Sequence, residues 1–195
     1  MQTLNFNNTN IQKIADSILS GEVCVVPTDT LYGFSCSAFS KTAVEKIYKL
    51  KQREGDKPFI ILLPNIQALG KFGINLDKKT EDKLRDLWPA KLSVVFDCPD
   101  NEFEYLHRGK KTLCFRIPAY PLLLSLLELT GPITSTTVNI SGEKPAENIS
   151  EAKDIFGDGV NLYVDAGTLK SEPSTVIKIS DGNVTVIRQG TFIFS

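Results

Sequence analysis

Residues 22–33 read Glu22-Val23-Cys24-Val25-Val26-Pro27-Thr28-Asp29-Thr30-Leu31-Tyr32-Gly33, and their order decides how the rest of the chain is read. A short apolar run rich in β-branched residues ends at a proline, and polar residues follow. Residues 23–26 are too few for a helix and are bounded by breakers, so they read as a buried strand. Pro27 has no N–H to give a sheet ladder, so pairing is expected to stop there. Thr28, Asp29 and Thr30 then stand just past a strand end, which is where α/β folds bind ligands. The plain alternative is a polar loop that only closes a core strand, and this stretch alone does not separate the two.

Outward from this strand, the pattern alternates between helix and strand. Before it, Ile11, Ile14, Ala15, Ile18 and Leu19 recur at helical spacing, with Asn8, Thr9 or Asn10 to cap the start and Gly21 to end it. After it, Ser40 is a good N-cap for a helix through Val44, Ile47, Tyr48 and Leu50. That helix fades into Lys51-Gln52-Arg53-Glu54-Gly55-Asp56-Lys57-Pro58. Residues 59–63 form an apolar strand. Asn65 can cap a short helix ending near Gly70 or Gly73, and Asp77 another through Leu84, Leu87 and Trp88, stopped by Pro89. Residues 92–96 and 113–117 read as strands, with His107-Arg108-Gly109-Lys110-Lys111 in the polar stretch between them. Pro121 fits the first turn of an apolar helix over 122–129, ended by Gly131 and Pro132. Residues 133–138 are strand-like, and Ser150 is read as the cap of a helix over 151–156. Residues 174–179 and 184–188 alternate around Asp181-Gly182, a hairpin signal. Interspersed strands and helices with a terminal hairpin argue for an α/β fold with a mixed sheet.

The totals fit that picture. At 195 residues the chain suits one domain, and 42% apolar residues can fill its core. No run approaches the ~20 apolar residues of a membrane span. The polar start lacks the basic-then-apolar order of a signal peptide, so a cytoplasmic protein is expected. A net charge of −1 argues against strong non-specific nucleic-acid binding, while leaving room for a local basic cavity. Cys24, Cys36, Cys98 and Cys114 are scattered without a CxxC pair, which points to buried free thiols without function. His107, the single histidine, is too little for the usual zinc site, and no metal site is expected.

Several polar groups stand where chemistry is possible. Lys51 and Arg53 share a face only if the chain there is extended. Gly55 and Pro58 suggest that the helix has ended by then, so Lys51, Arg53 and Lys57 could converge on one anion. The competing reading is a helix C-terminus dressed with cations, and in either case both side chains are expected to be partly exposed. Thr112 and Arg116 begin and end an otherwise apolar strand, so Arg116 is either at a wet strand end or in a site. Residues 134–142 pack hydroxyls and Asn139 into a strand end and turn, a set that suits ribose, phosphate or a small amino acid, or simply a polar turn. Neither GxxxxGK[ST] nor GxGxxG occurs.

Taken together these pieces have a recognisable order. Pro27-Thr28-Asp29-Thr30-Leu31-Tyr32-Gly33 comes first, then Lys51 and Arg53 with Lys57-Pro58-Phe59, then Trp88-Pro89, then Arg116 with Pro118. Thr137-Val138-Asn139-Ile140-Ser141-Gly142, Pro173-Ser174-Thr175-Val176 and Arg188-Gln189-Gly190 complete the series. Over nearly the whole chain this set resembles the YrdC/TsaC family of threonylcarbamoyl-AMP synthases. The resemblance implies one YrdC-like domain over 1–195, a twisted mixed sheet with flanking helices around a basic cavity. It implies a nucleotidyltransferase that takes L-threonine, bicarbonate and ATP, with Mg2+ on the nucleotide, to threonylcarbamoyl-adenylate and pyrophosphate. A downstream transferase complex would then modify the adenosine beside the anticodon of certain tRNAs, so that any tRNA contact here is indirect. By resemblance Thr30, Arg116, Thr137 and Ser174 hold threonine. Arg53, Lys57, Thr112, Asn139 and Arg188 hold ATP, and Lys51 and Arg53 form the catalytic basic cluster.

The chain departs from the family pattern in two places. Thr137-Val138-Asn139 stands where the family usually has Ser-Ala-Asn, and Trp88-Pro89-Ala90-Lys91 where it often has Trp-Pro-Gly-Pro. The additional C-terminal domain of a longer subfamily is not expected. Two other readings remain at this level: a paralogue handling another carbamoyl-adenylate, and a non-catalytic module that binds RNA or nucleotide.

Overall fold

A computed structural model describes residues 1–53, 57–180 and 183–193. In chain order its elements are β1 (Gln2–Asn5), α1 (Ile11–Leu19), β2 (Cys24–Pro27), β3 (Tyr32–Ser35), α2 (Lys41–Leu50) and β4 (Ile60–Leu62). A 3-10 helix (Ile66–Phe72) leads to α3 (Lys78–Leu87), β5 (Leu92–Asp97), the short α4 (Glu104–His107), β6 (Thr112–Arg116), α5 (Pro121–Thr130) and β7 (Ile133–Thr137). Then come α6 (Ile149–Phe156), β8 (Leu162–Asp165), β9 (Thr175–Ser180) and β10 (Asn183–Arg188).

The strands form one ten-stranded sheet in the order β1-β8-β2-β3-β7-β4-β6-β5-β9-β10. Its pairings are mixed. β2 runs parallel to β8 and antiparallel to β3, while β6 runs parallel to β4 and antiparallel to β5.

The run that opened the reading is apolar at every position because both faces of β2 are covered. Val25 packs with Val44, Ile47 and Phe156 from α2 and α6. Cys24 and Val26 pack on the other face with Ile14, Ile18, Leu123 and Leu127 from α1 and α5. A strand buried on both sides cannot alternate apolar with polar, and this one does not. Strand pairing ends at Pro27, whose partner is Tyr32. The four residues 28–31 therefore turn the chain at a strand end in the middle of the sheet.

The caps decide where several helices begin. Ser40 accepts the Ala43 N–H at 3.4 Å, Asn65 the Ala68 N–H at 3.1 Å and Asp77 the Thr80 N–H at 2.9 Å, as expected. Ser150 does not cap α6. Asn148 does, accepting the Glu151 N–H at 3.0 Å while the Glu151 carboxylate takes the Glu147 N–H at 2.8 Å. That reciprocal pair satisfies two orphan donors, where a serine at 150 could satisfy one. β1, β3 and β8 are strands that the sequence pattern did not show. The Asp181-Gly182 turn and residues 54–56 of the basic segment lie outside the described residues. Among the described residues no helix is long and apolar enough to cross a membrane.

Candidate active site

The turn 28–31, the far ends of β6 and β7 and the β9–β10 pair enclose a cavity of about 590 Å³. β6 shows how the sequence builds it. Thr112, Cys114 and Arg116 are alternate residues and line the cavity, while the side chains of Leu113 and Phe115 belong to the core, Leu113 also touching the cavity. Ile60 of β4 and Val95 of β5 are the cross-strand partners of Cys114, so the floor is apolar. The walls are polar. Thr30, Ser135, Thr136, Thr137 and Ser174 bring hydroxyls, and Arg53, Lys110, Arg116 and Arg188 bring charge. No Asp or Glu is among the described residues that line it. A protein of net charge −1 thus has a locally cationic cavity.

Arg116 ends β6 with 3% of its side chain exposed and pairs with Asp29, Nη2 to Oδ1 at 3.3 Å. Nη1 also reaches Thr30 Oγ1 at 3.5 Å. Burial pulls Arg116 below its ordinary value, and the Asp29 carboxylate opposes that pull. Thr30 is fixed from its own turn, since its N–H donates to Thr28 Oγ1 at 3.1 Å. Across the cavity Ser174 sits between Ser93 Oγ at 2.9 Å and Arg188, whose Nη2 donates to the Ser174 carbonyl at 2.8 Å.

Arg53 and Lys51 turn to the same strand end by different routes. Arg53 lines the cavity, with Nη1 toward Thr136 Oγ1 at 3.4 Å and its guanidinium over the Phe59 ring. Lys51 was expected to be partly exposed, and it is not. Only 1% of it is exposed. Its Nζ donates to the Thr137 carbonyl, and also to Asn139 O at 3.0 Å and Asn139 Oδ1 at 2.8 Å. The physical reason is that α2 ends against the end of β7 and the turn after it, which turn the oxygens of Thr137 and Asn139 toward Nζ. Burial first, and the nearby Arg53 charge second, pull the Lys51 ammonium down to about 7.

Of the residues singled out in the sequence, Thr30, Arg53, Thr112, Arg116, Thr137, Ser174 and Arg188 line the cavity. Lys51 and Asn139 stand behind its wall, joined to each other, and Thr137 Oγ1 donates to Asn139 Oδ1 at 2.7 Å. Lys57 is exposed and gives its backbone carbonyl to Arg53 Nε at 3.0 Å. His107 is buried in its loop, with Nδ1 accepting the Gly109 N–H. All four cysteines are free, but Cys114 is not simply a core thiol, because it faces the cavity floor. Cys114 and Lys110 line the cavity without having stood out in the sequence, whereas Ser135 and Thr136 belong to the hydroxyl-rich stretch 134–142. The alternation Thr112-Cys114-Arg116 was the signal that could have found Cys114.

Comparisons with known proteins agree with this geometry. The family model Sua5_yciO_yrdC, described as telomere recombination, matches residues 16–190. A putative threonylcarbamoyl-AMP synthase of Methanocaldococcus jannaschii is 32% identical over 183 residues, covering 92% of this chain and 85% of the relative. One from Mycobacterium tuberculosis is 30% identical over 176 residues, covering 89% and 81%. Among solved structures, Pyrococcus abyssi Sua5 in complex with L-threonine superposes with a TM-score of 0.85 at 26% identity. That likeness covers 97% of this chain and 56% of the Sua5 chain, so this chain spans little more than half the length of that protein.

Proposed function

The chain belongs to the Sua5/YciO/YrdC family, and we propose that it is a threonylcarbamoyl-AMP synthase, taking L-threonine, bicarbonate and ATP to threonylcarbamoyl-adenylate and pyrophosphate. One observation carries the reading: a cavity in which the hydroxyls of Thr30, Thr137 and Ser174 share the walls with Arg53, Arg116 and Arg188, with no carboxylate among the described lining residues. Such a lining fits an amino acid bearing a hydroxyl and a carboxylate beside a polyphosphate. Arg116 offers its guanidinium to the threonine carboxylate, and Thr30, Thr137 and Ser174 offer partners to its hydroxyl and amine. Arg53, Lys57, Thr112, Asn139 and Arg188 are assigned to ATP. Arg53, Arg188 and Lys57 offset phosphate charge.

The chemistry needs no side-chain nucleophile. The threonine amine attacks bicarbonate, forming the carbamate with loss of water. A carbamate oxygen then attacks the α-phosphorus of ATP, the bond to the bridging oxygen breaks, and pyrophosphate leaves. The chain's part is to hold the reactants in line and to stabilise charge on the leaving group, which Arg53 and Arg188 are placed to do. Lys51 acts from behind the wall, holding the 137–139 segment in place. Mg2+ would arrive with the nucleotide and spread phosphate charge. The described residues of the lining include no carboxylate for it, so phosphate oxygens and water would supply its ligands.

Residues 1–195 are taken as one domain, supported by β1 and β10 lying in a single sheet. The adenylate would pass to a transferase complex acting on tRNA, and a cytoplasmic location goes with that reading. The test is pyrophosphate release with each substrate omitted in turn, together with mass detection of the adenylate. Release that needs both threonine and bicarbonate is expected. Equal release without threonine overturns the reading. Salt-sensitive tRNA binding without turnover points instead to a binding module.

A further inference from the structure

Asp29 has none of the roles given above, yet it joins the segments that carry them. Its side chain is 2% exposed. Oδ2 accepts the Ala119 N–H at 3.0 Å, and Oδ1 stands 3.3 Å from Arg116 Nη2. One carboxylate therefore ties the turn 28–31 to the segment that leaves β6. Arg116 Nη1 meets Thr30 Oγ1 of the same turn. The Asp29 Oδ1–Nη2 contact is an ion pair without a hydrogen bond, and the guanidinium Nε is buried with no hydrogen-bond partner. A buried donor left unmade is costly, and this one belongs to a residue that lines the cavity. A guanidinium stays protonated in proteins, so Nε–H is a permanent donor.

We propose that Asp29 is the positioning residue of the site, holding the Nη2 side of Arg116 so that Nε is left for the carboxylate of the amino-acid substrate. This rests on the threonine reading of the cavity. Asp29 is not itself among the lining residues, so it acts through Arg116 and does not touch the substrate. It also explains why a buried carboxylate is retained beside a residue that must attract another carboxylate. Without it, the guanidinium would keep only the Thr30 hydroxyl, 3.5 Å from Nη1, to orient it.

Removing one partner of a buried pair lowers stability whatever the pair is for, so melting does not decide the matter. Threonine binding by calorimetry and the Michaelis constants for threonine and ATP do. In Asp29→Ala the threonine constant should rise about ten-fold or more, the loss of one charge-assisted contact, while that for ATP stays within about two-fold. Asp29→Asn, which keeps an acceptor for Ala119 and a polar atom beside Nη2, should recover most of the loss. In an Arg116→Lys background Asp29→Ala should add nothing, because the group it acts through is gone. Equal rises for threonine and ATP, no rise at all, or a full extra loss in the Arg116→Lys background would each overturn the proposal.

If Asp29→Ala does not fold, wild-type protein labelled with 15N-arginine carries the test. Threonine should move the Arg116 Nε signal, and an unmoved signal at saturation overturns the assignment. Wild-type protein that binds no threonine brings down the functional reading as well. Wild-type protein that binds threonine beside an Asp29→Ala variant that binds equally well brings down this inference alone.

Discussion

Lys51 is a cation that three oxygens face and water does not reach. Its Nζ is bound to the Thr137 carbonyl and to both oxygens of Asn139. All three are neutral acceptors, so they satisfy its donors without returning the hydration that a charge loses on burial. The ammonium is accordingly pulled from 10.5 to about 7. The sign of the linkage follows from that. Between these two values the unfolded chain holds more protons at this position than the folded one, so stability from Lys51 grows as pH rises from about 7 toward 10.5. It is lost as pH falls through about 7. Lys51→Met removes the titration and takes the ammonium away from the Thr137 and Asn139 oxygens at every pH. The gap in urea midpoint between wild type and Lys51→Met should therefore widen steadily with alkaline pH. A gap that stays flat across that range would show that the ammonium keeps its ordinary value.

At the scale of elements, the edge pair β9–β10 is held to the site by a clasp of side chain and backbone. Thr175 Oγ1 accepts the Gly190 N–H at 2.9 Å and donates to the Phe192 carbonyl at 2.6 Å, while Arg188 reaches the Ser174 carbonyl. Gly190 allows the close approach. A Cβ there would lie 2.2 Å from the Pro173 carbonyl oxygen and 2.6 Å from the Ser174 carbonyl carbon, both backbone atoms with no rotamer to change. Gly190→Ala must push Ser174 and Arg188 apart, at an overpacking cost of about 1–3 kcal/mol. Weaker use of both threonine and ATP is expected, with a lower melting temperature. Wild-type constants in this variant would show that the clasp does not shape the cavity. The alternation of β9 and β10 was legible in the sequence, as was β2, because burial on one face or two leaves a plain periodicity. β3 was not, because Gly33 reads as a turn. It is a strand residue there because a Cβ would come 2.7 Å from Ser135 Oγ on the neighbouring strand. β1 hid for the opposite reason: as an exposed edge it has no buried face to print on the sequence. In the site, Arg116 was legible as a charge in an apolar strand. The burial of Lys51 was not, since a lysine at a helix end is ordinary until the carbonyls of a distant turn are known to meet it.

Over the whole molecule, the cavity draws on segments from Thr28 to Arg188, so no local piece of chain could form it. Its walls differ in how firmly they are held. β2 and β3 are fully buried in the middle of the sheet, whereas β10 is an edge strand with nearly every residue exposed. Amides in such a strand exchange by local opening, well below the free energy of global unfolding. β1 is an equally exposed strand at the opposite edge, but it contributes nothing to the cavity. The two edges therefore form an internal control. ATP and threonine bound against Arg188, Ile187 and Ser174 should slow exchange along 183–188, because a ligand that binds only the closed form suppresses its opening. The same ligands should leave 2–5 unchanged, because that edge frays without disturbing the site. Slowing at both edges alike would mean that ligand acts only through global stability. No slowing at β10, in protein that turns over, would place the nucleotide away from Arg188.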